Sequence, residues 1–179
     1  ERRVGRRGGI GRYAEARLMH TQTDSADEPA TLHVGVDLFA PAGTPVCAPL
    51  AGAVERAGDG ELILRHEPEP TLRFFTRYAG VRPSVAAGQP VAAGRPIATV
   101  AEPGPADRLP AHVHVQIGCE PFDMADSPPG LGRASQRDVW LSLCPDPGLL
   151  VGLPTHKGTQ PTDDELVERR ARVVHQSQE

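Results

Sequence analysis

Between residue 31 and about residue 120 the chain runs in short apolar stretches, polar at every second position and separated by turn residues. Over residues 32–38, Leu32, Val34, Val36 and Leu38 alternate with His33, Gly35 and Asp37. Side chains of a strand alternate between its faces, so four aliphatic groups meet a core while His33 and Asp37 emerge together on the other side, with Gly35 leaving room between them. Residues 111–117 repeat the pattern: Ala111, Val113, Val115 and Ile117 on one face, His112, His114 and Gln116 on the other. Further strands are expected over 44–49, 51–57, 61–65, 72–78 and 96–100. Runs this short, punctuated by Gly-Asp-Gly, Pro-Ala-Gly and Ala-Ala-Gly, predict a mainly β fold with an antiparallel β-sheet core and short flanking helical segments.

One hexapeptide is echoed. Residues 84–89, Ser-Val-Ala-Ala-Gly-Gln, are followed by 90–95, Pro-Val-Ala-Ala-Gly-Arg. Two successive turns are expected, with Gly88 and Gly94 supplying the positive φ that each needs. Outside the β region, residues 1–30 read as an N-terminal linker and edge element, with one strand-like stretch over 12–20. Residues 121–154 form a Pro-rich flank whose amphipathic stretch, 135–143, carries the only tryptophan, Trp140, and is expected to pack against the side of the core. Residues 155–179 read as a linker and the start of a further helical domain, since Thr162-Asp163-Asp164-Glu165 places acidic groups in a first turn.

Composition narrows the class. The 179 residues are 39% hydrophobic and include 19 glycines and 19 prolines, which suits one core of short strands and many turns. A net charge of −4 and 4% aromatic residues supply neither a basic surface nor stacking groups, so nucleic acid is not an expected partner. No apolar run reaches the ~20 residues that span a bilayer, and no membrane role is expected. Cys47, Cys119 and Cys144 stand at unrelated spacings and read as free thiols of a reducing compartment. The start, Glu1-Arg2-Arg3-Val4, has neither Met nor an apolar signal core, so the chain reads as a cytoplasmic piece of something longer.

The two alternating strands bring imidazole and carboxylate groups to one face. His33, Asp37 and His114 form a donor set that Zn²⁺ accepts, and three protein ligands leave a fourth position for water, as a catalytic site requires. Water on such a metal has a pKa of ~7 and becomes a nucleophile at neutral pH. The isolated His20, His156 and His175 read as surface residues.

These residues also carry a resemblance. His33-Val-Gly-Val-Asp37, then Leu-Phe-Ala-Pro-Ala-Gly-Thr-Pro-Val, the Gly88/Gly94 repeat and His112-Val-His114 together resemble the lysostaphin/LytM-type zinc metallopeptidases, metallopeptidase family 23, over about residues 31–118. The resemblance implies a two-layer antiparallel β core with a groove over the metal, Zn²⁺ on His33, Asp37 and His114, and a catalytic role for His112. It further implies cleavage of a peptide or amide bond, of the kind found in bacterial peptidoglycan. The chain departs from the family at Tyr78-Ala79-Gly80-Val81, where Gly80 replaces the usual second catalytic histidine of a Tyr-x-His-Leu segment. His66, following the expected strand 61–65, then stands as the auxiliary candidate. The flanks around residues 11–18 and 135–154 resemble the middle of long bacterial fusion proteins, with a kinase-like domain before and a class III aminotransferase-like domain after.

Three readings follow: a zinc peptidase or amidase; a catalytically degenerate metal- or ligand-binding module, favoured by Gly80; and a biotinyl- or lipoyl-type carrier. The carrier needs a lysine at a hairpin tip, and the only lysine, Lys157, lies outside the expected core.

Overall fold

The computed structural model describes residues 9–17, 28–58, 60–105, 107, 109–119 and 130–153. His20, His156, Lys157, His175 and the helix expected from residue 162 onward lie outside the described residues. The strands are β1 (Ile10–Gly11), β2 (Ala30–His33), β3 (Val36–Phe39), β4 (Pro45–Cys47), β5 (Gly52–Gly58), β6 (Glu61–Glu69), β7 (Leu72–Ala79), β8 (Val81–Pro83), β9 (Pro90–Val91), β10 (Pro96–Val100), β11 (His112–Gly118) and β12 (Leu131–Arg133), and the helix is α1 (Arg137–Leu143). A seven-stranded sheet in the order β1-β3-β11-β7-β6-β5-β9 faces a three-stranded sheet, β4-β10-β8. All named pairings are antiparallel. Val36, Val54, Leu62, Leu64, Tyr78, Val113 and Val115 from the large sheet meet Val46, Val81, Ile97 and Val100 around the small one in a single apolar cluster. The expected two-layer antiparallel β core is what forms.

The strand expected over 32–38 is broken in the middle, and the break builds the site. β2 pairs with β12 in a separate two-stranded sheet, whereas β3 enters the large one. Leu32 and Val34 pack with Cys144, Trp140 and Leu141, while Val36 belongs to the main cluster. The chain therefore steps from one apolar cluster to another at Gly35, and the alternation predicted from the sequence continues across the step. A side chain at Gly35 would place its Cβ 2.5 Å from the Val115 carbonyl oxygen and 2.7 Å from His114 Cε1. Backbone cannot yield to such an approach. Gly35→Ala is expected to lower stability by about 1–3 kcal/mol, as overpacking typically does, and to push the His114 ring aside; a denaturant titration with metal uptake measured in parallel reads both effects.

The flanks join the same fold. β1 adds an edge to the large sheet, with Ile10 opposite Leu38 and Gly11 opposite Asp37. Residues 134–136 form a 3-10 turn that leads into α1, and Trp140 lies so close to β12 that a Cβ at Gly132 would fall 2.6 Å from its indole ring. The hexapeptide repeat forms the two expected turns, with Gly88 at φ 82° and Gly94 at φ 76°. β6 runs four residues beyond the expected end at residue 65. Pro68 is tolerated there because β5 pairs with β6 only up to Arg65, and the β6–β7 register shifts between His66 and Glu69.

Candidate metal centre

One row of residues crosses the large sheet: Gly11 on β1 opposite Asp37 on β3, Asp37 opposite His114 on β11, and His114 opposite Ala79 on β7. The small side chains at the two ends of this row leave Asp37 and His114 at the floor of a cavity. His33, at the end of β2, enters from the side after the step at Gly35, and all three residues are buried. His33 Nε2 lies 3.2 Å from Asp37 Oδ1 and 3.2 Å from His114 Nδ1, and Asp37 Oδ1 lies 2.9 Å from His114 Nδ1.

The outward-facing atoms fix what the inward-facing ones offer. His33 Nδ1 lies 2.7 Å from the Arg12 carbonyl oxygen and 3.2 Å from Arg17 Nη2; the shorter contact is with an oxygen that only accepts, which favours a proton on Nδ1 and an inward lone pair on Nε2. His114 Nε2 faces Gln116 Oε1 at 3.4 Å, and the Gln116 amide nitrogen donates to Cys144 Sγ at 3.1 Å. His114 Nδ1 is thereby left as an inward lone pair. Asp37 Oδ2 accepts from Arg17 Nη2 at 2.7 Å, which leaves Oδ1 for the site. Burial would raise the Asp37 carboxyl, but its contacts with His114 and His33 outweigh burial and hold it well below the usual carboxylate range. Burial lowers His114, against the opposing pull of Asp37, and favours its neutral form.

With those tautomers, two imidazole lone pairs and a carboxylate oxygen converge on one point, an arrangement that a cation in their midst would hold together. Zinc bonds of about 2.0–2.2 Å at tetrahedral angles keep ligand atoms about 3.3–3.6 Å apart, and the spacings of 2.9–3.2 Å come close to that triangle. Among the described residues this is the one cluster of His, Cys, Asp or Glu with metal-ligand spacing. The donor set fits zinc. Outer partners of this kind, a carbonyl on one histidine and an amide on the other, orient metal ligands and set their tautomers.

His112 lines the same cavity, as do Arg17, Arg77, Leu109 and Leu131. Its Nδ1 lies 2.8 Å from the Pro110 carbonyl oxygen, so Nδ1 carries the proton and Nε2 keeps a lone pair. The ring leans on Phe39, its partner across β3, with centroids 5.2 Å apart.

His66 is not brought to the site. It sits on β6 opposite Phe74, five residues along β7 from Ala79, or about 16 Å at strand rise. It also points to the other face, where Nδ1 donates to the Ala51 carbonyl at 2.8 Å and Nε2 accepts from the Thr76 hydroxyl at 2.8 Å. Fully buried, and lowered by that burial, it is a neutral core histidine with both nitrogens engaged. An auxiliary catalytic role does not suit that position.

Gly80 also reads differently in the fold. Its φ is +75°, and a Cβ there would lie 2.6 Å from the His112 carbonyl oxygen. The glycine is a turn residue pressed against the strand that carries His112, and a histidine at this point would be strained and in collision with that strand. Gly80→His is therefore expected to lower stability by about 1–3 kcal/mol and to leave hydrolysis no faster, as melting curves and initial rates would show.

Two contributors escaped the sequence reading. Arg12 and Arg17 lie in the strand-like stretch of the N-terminal linker and edge element, and no local pattern marks them as contributors. Arg17 is found only through its register, because its amide bonds the Thr31 carbonyl at 2.7 Å and Ala16 bridges to Leu32.

No curated protein matches the chain in sequence. Among solved structures, the catalytic domain of the antimicrobial peptidase lysostaphin from Staphylococcus simulans is similar, with 19% identity, 74% of this chain and 92% of that one covered, and a TM-score of 0.51. A longer lysostaphin chain from the same organism is 21% identical, with 87% of this chain and 54% of that one covered and a TM-score of 0.52. LytU is 22% identical, with 85% of this chain and 90% of that one covered and a TM-score of 0.52. At these identities the likeness is one of fold. The sequence model described as Peptidase family M23 matches residues 31–124, which is more than half of the chain and includes His33, Asp37, His112 and His114. The two-layer β fold, the His-Asp-His cluster and the extent of that match lead to one conclusion: the chain belongs to peptidase family M23.

Proposed function

We propose that this domain hydrolyses a peptide or amide bond with zinc held by His33 Nε2, Asp37 Oδ1 and His114 Nδ1, and with His112 moving the proton. The observation that carries the reading is the convergence of three buried metal-ligand atoms, each with an outer partner, in a cavity that His112 also lines. Zinc bound there would supply a Lewis acid that polarises a carbonyl and lowers the pKa of a water to ~7.

The chain's own groups supply the rest. With Nδ1–H donated to Pro110, His112 accepts a proton at Nε2 and, once charged, donates from the same nitrogen to the departing amine. The Pro110 carbonyl and the Phe39 ring keep that nitrogen aimed during both transfers. Leu109 and Leu131 on the cavity wall limit competing water near the reacting carbonyl. The substrate class that suits the reading is a short peptide of the peptidoglycan type.

The degenerate-module reading rests on Gly80; its positive φ and the 2.6 Å approach of a Cβ there to the His112 carbonyl oxygen give the glycine a structural role, and hydrolysis would then rest on His112. The experiment pairs zinc content with hydrolysis of a panel of oligoglycine and cell-wall stem peptides. Turnover that disappears with chelation and returns with zinc is expected; stoichiometric zinc with no turnover of any peptide would contradict the hydrolytic part.

We further infer that the domain works in the cytoplasm, inside a longer chain, between kinase-like and aminotransferase-like neighbours. The resemblance of residues 11–18 and 135–154 to the middle of such fusions supports this, and no helix among the described residues is long and apolar enough to cross a membrane. Immunoblotting of fractionated cells with an antibody to this domain tests it, through the mass and the compartment of the band.

A further inference from the structure

We propose that Arg17 is a positioning residue that confines Asp37 to a single metal-facing oxygen. The inference rests on the zinc reading above and goes beyond it, since Arg17 lies outside residues 31–124 matched by the family. Arg17 Nη2 donates to Asp37 Oδ2 at 2.7 Å, while Oδ1 faces His114 and His33 at 2.9 and 3.2 Å. At the other end of the guanidinium, Nε lies 2.8 Å from Glu15 Oε1, an ion pair without hydrogen-bond alignment, and the side chain is only 13% exposed. Its backbone is tied to the strand before His33 through the Thr31 carbonyl.

Room for this contact comes from one residue. Gly11 lies directly opposite Asp37 across β1 and β3, and a Cβ there would fall 2.1 Å from Arg17 Nη2 and 2.8 Å from Asp37 Oδ2. Any side chain at position 11 displaces the guanidinium.

The chemistry follows from the geometry. A carboxylate with an unengaged second oxygen readily turns to give both oxygens to a metal. A charge-assisted hydrogen bond from a held guanidinium occupies that oxygen and fixes the carboxylate plane. It also draws negative charge toward Oδ2, so the metal keeps more of its own positive charge for the substrate. The cost is a cation close to a metal site, which Glu15 partly offsets.

Cobalt(II) taken up in place of zinc reads coordination directly, because four-coordinate cobalt absorbs visible light far more strongly than five-coordinate cobalt, and geometry is diagnostic for such ions. The full 179-residue chain is loaded with one equivalent of cobalt as wild type, Arg17→Met, Arg17→Lys and Gly11→Ala. Wild type is expected to show the intense four-coordinate spectrum. Arg17→Met should lose intensity severalfold, while Arg17→Lys, which keeps a cation beside Oδ2, should retain most of it. Gly11→Ala, whose Cβ would press on both Arg17 Nη2 and Asp37 Oδ2, should also lose intensity, and the contrast between Arg17→Lys and Arg17→Met separates the cation from the bulk of the side chain. Wild-type intensity in both Arg17→Met and Gly11→Ala would overturn the proposal. Failure of the zinc reading itself looks different: wild type would take up no cobalt, or His114→Ala would take it up equally well, and the proposal would fall with that reading.

Discussion

Asp37→Asn is expected to abolish zinc binding and hydrolysis together while leaving the metal-free protein folded and no less stable. The change is nearly isosteric, so the outcome turns on hydrogens alone. Arg17 presents a donor 2.7 Å from Oδ2, which requires the new amide to offer its oxygen there and to turn its NH₂ group toward the site. That NH₂ then donates into the lone pairs of His33 Nε2 and His114 Nδ1, 3.2 and 2.9 Å from the present Oδ1, where the cation would otherwise stand. A donor replaces the metal. Loss of affinity should exceed the about 10- to 100-fold that removing an outer partner typically costs, because a ligand has gone and its place is blocked. Competition against a chromophoric chelator measures the affinity, and thermal melting with and without chelator measures the stability. Wild type should melt higher with zinc and the variant should not respond. Zinc-dependent stabilisation of the variant equal to wild type would remove Asp37 from the ligand set.

His112→Ala separates the metal from the proton. His112 is outside the triangle of ligands and is held by Pro110 and Phe39, so zinc content should stay at the wild-type level. Turnover should fall by about 10²- to 10⁴-fold, the usual contribution of a positioned general acid or base, and the loss should appear in kcat more than in KM. Steady-state kinetics on the best substrate of the peptide panel, with metal analysis of the same sample, decide the matter. Unchanged kcat would assign the proton transfer to another group.

How much of this was visible in the sequence depends on whether the signal is local. Alternation along a strand is local, so His33 and Asp37 on one face and His112, His114 and Gln116 on another were legible, as were the turns at Gly88 and Gly94. The break at Gly35 was not, because it arises from two apolar clusters, one built by Leu32, Val34 and Cys144 and the other by Val36 and the main sheets. Those residues are joined only by tertiary packing. His66 illustrates the opposite error. A place just after an expected strand end suggests a catalytic auxiliary, whereas β6 runs on to Glu69 and keeps His66 in step with Leu62 and Leu64 on the core face. Arg17 acts through its contacts with Asp37 and Glu15 and Arg12 through one carbonyl, brought there by a β-bridge to Leu32, and no periodicity announces such contacts. Gly80 was read as a missing catalyst because a motif was expected there; its positive φ and its approach to the His112 carbonyl belong to the backbone and appear only in three dimensions.

The position of the metal tests the His33, Asp37 and His114 site most directly. Crystals grown with zinc and measured on both sides of the zinc absorption edge give an anomalous difference map that locates the ion without assumption. One strong peak is predicted, about 2.0–2.2 Å from each of His33 Nε2, Asp37 Oδ1 and His114 Nδ1. The absence of a peak at that point, or a peak held by other residues, would contradict it.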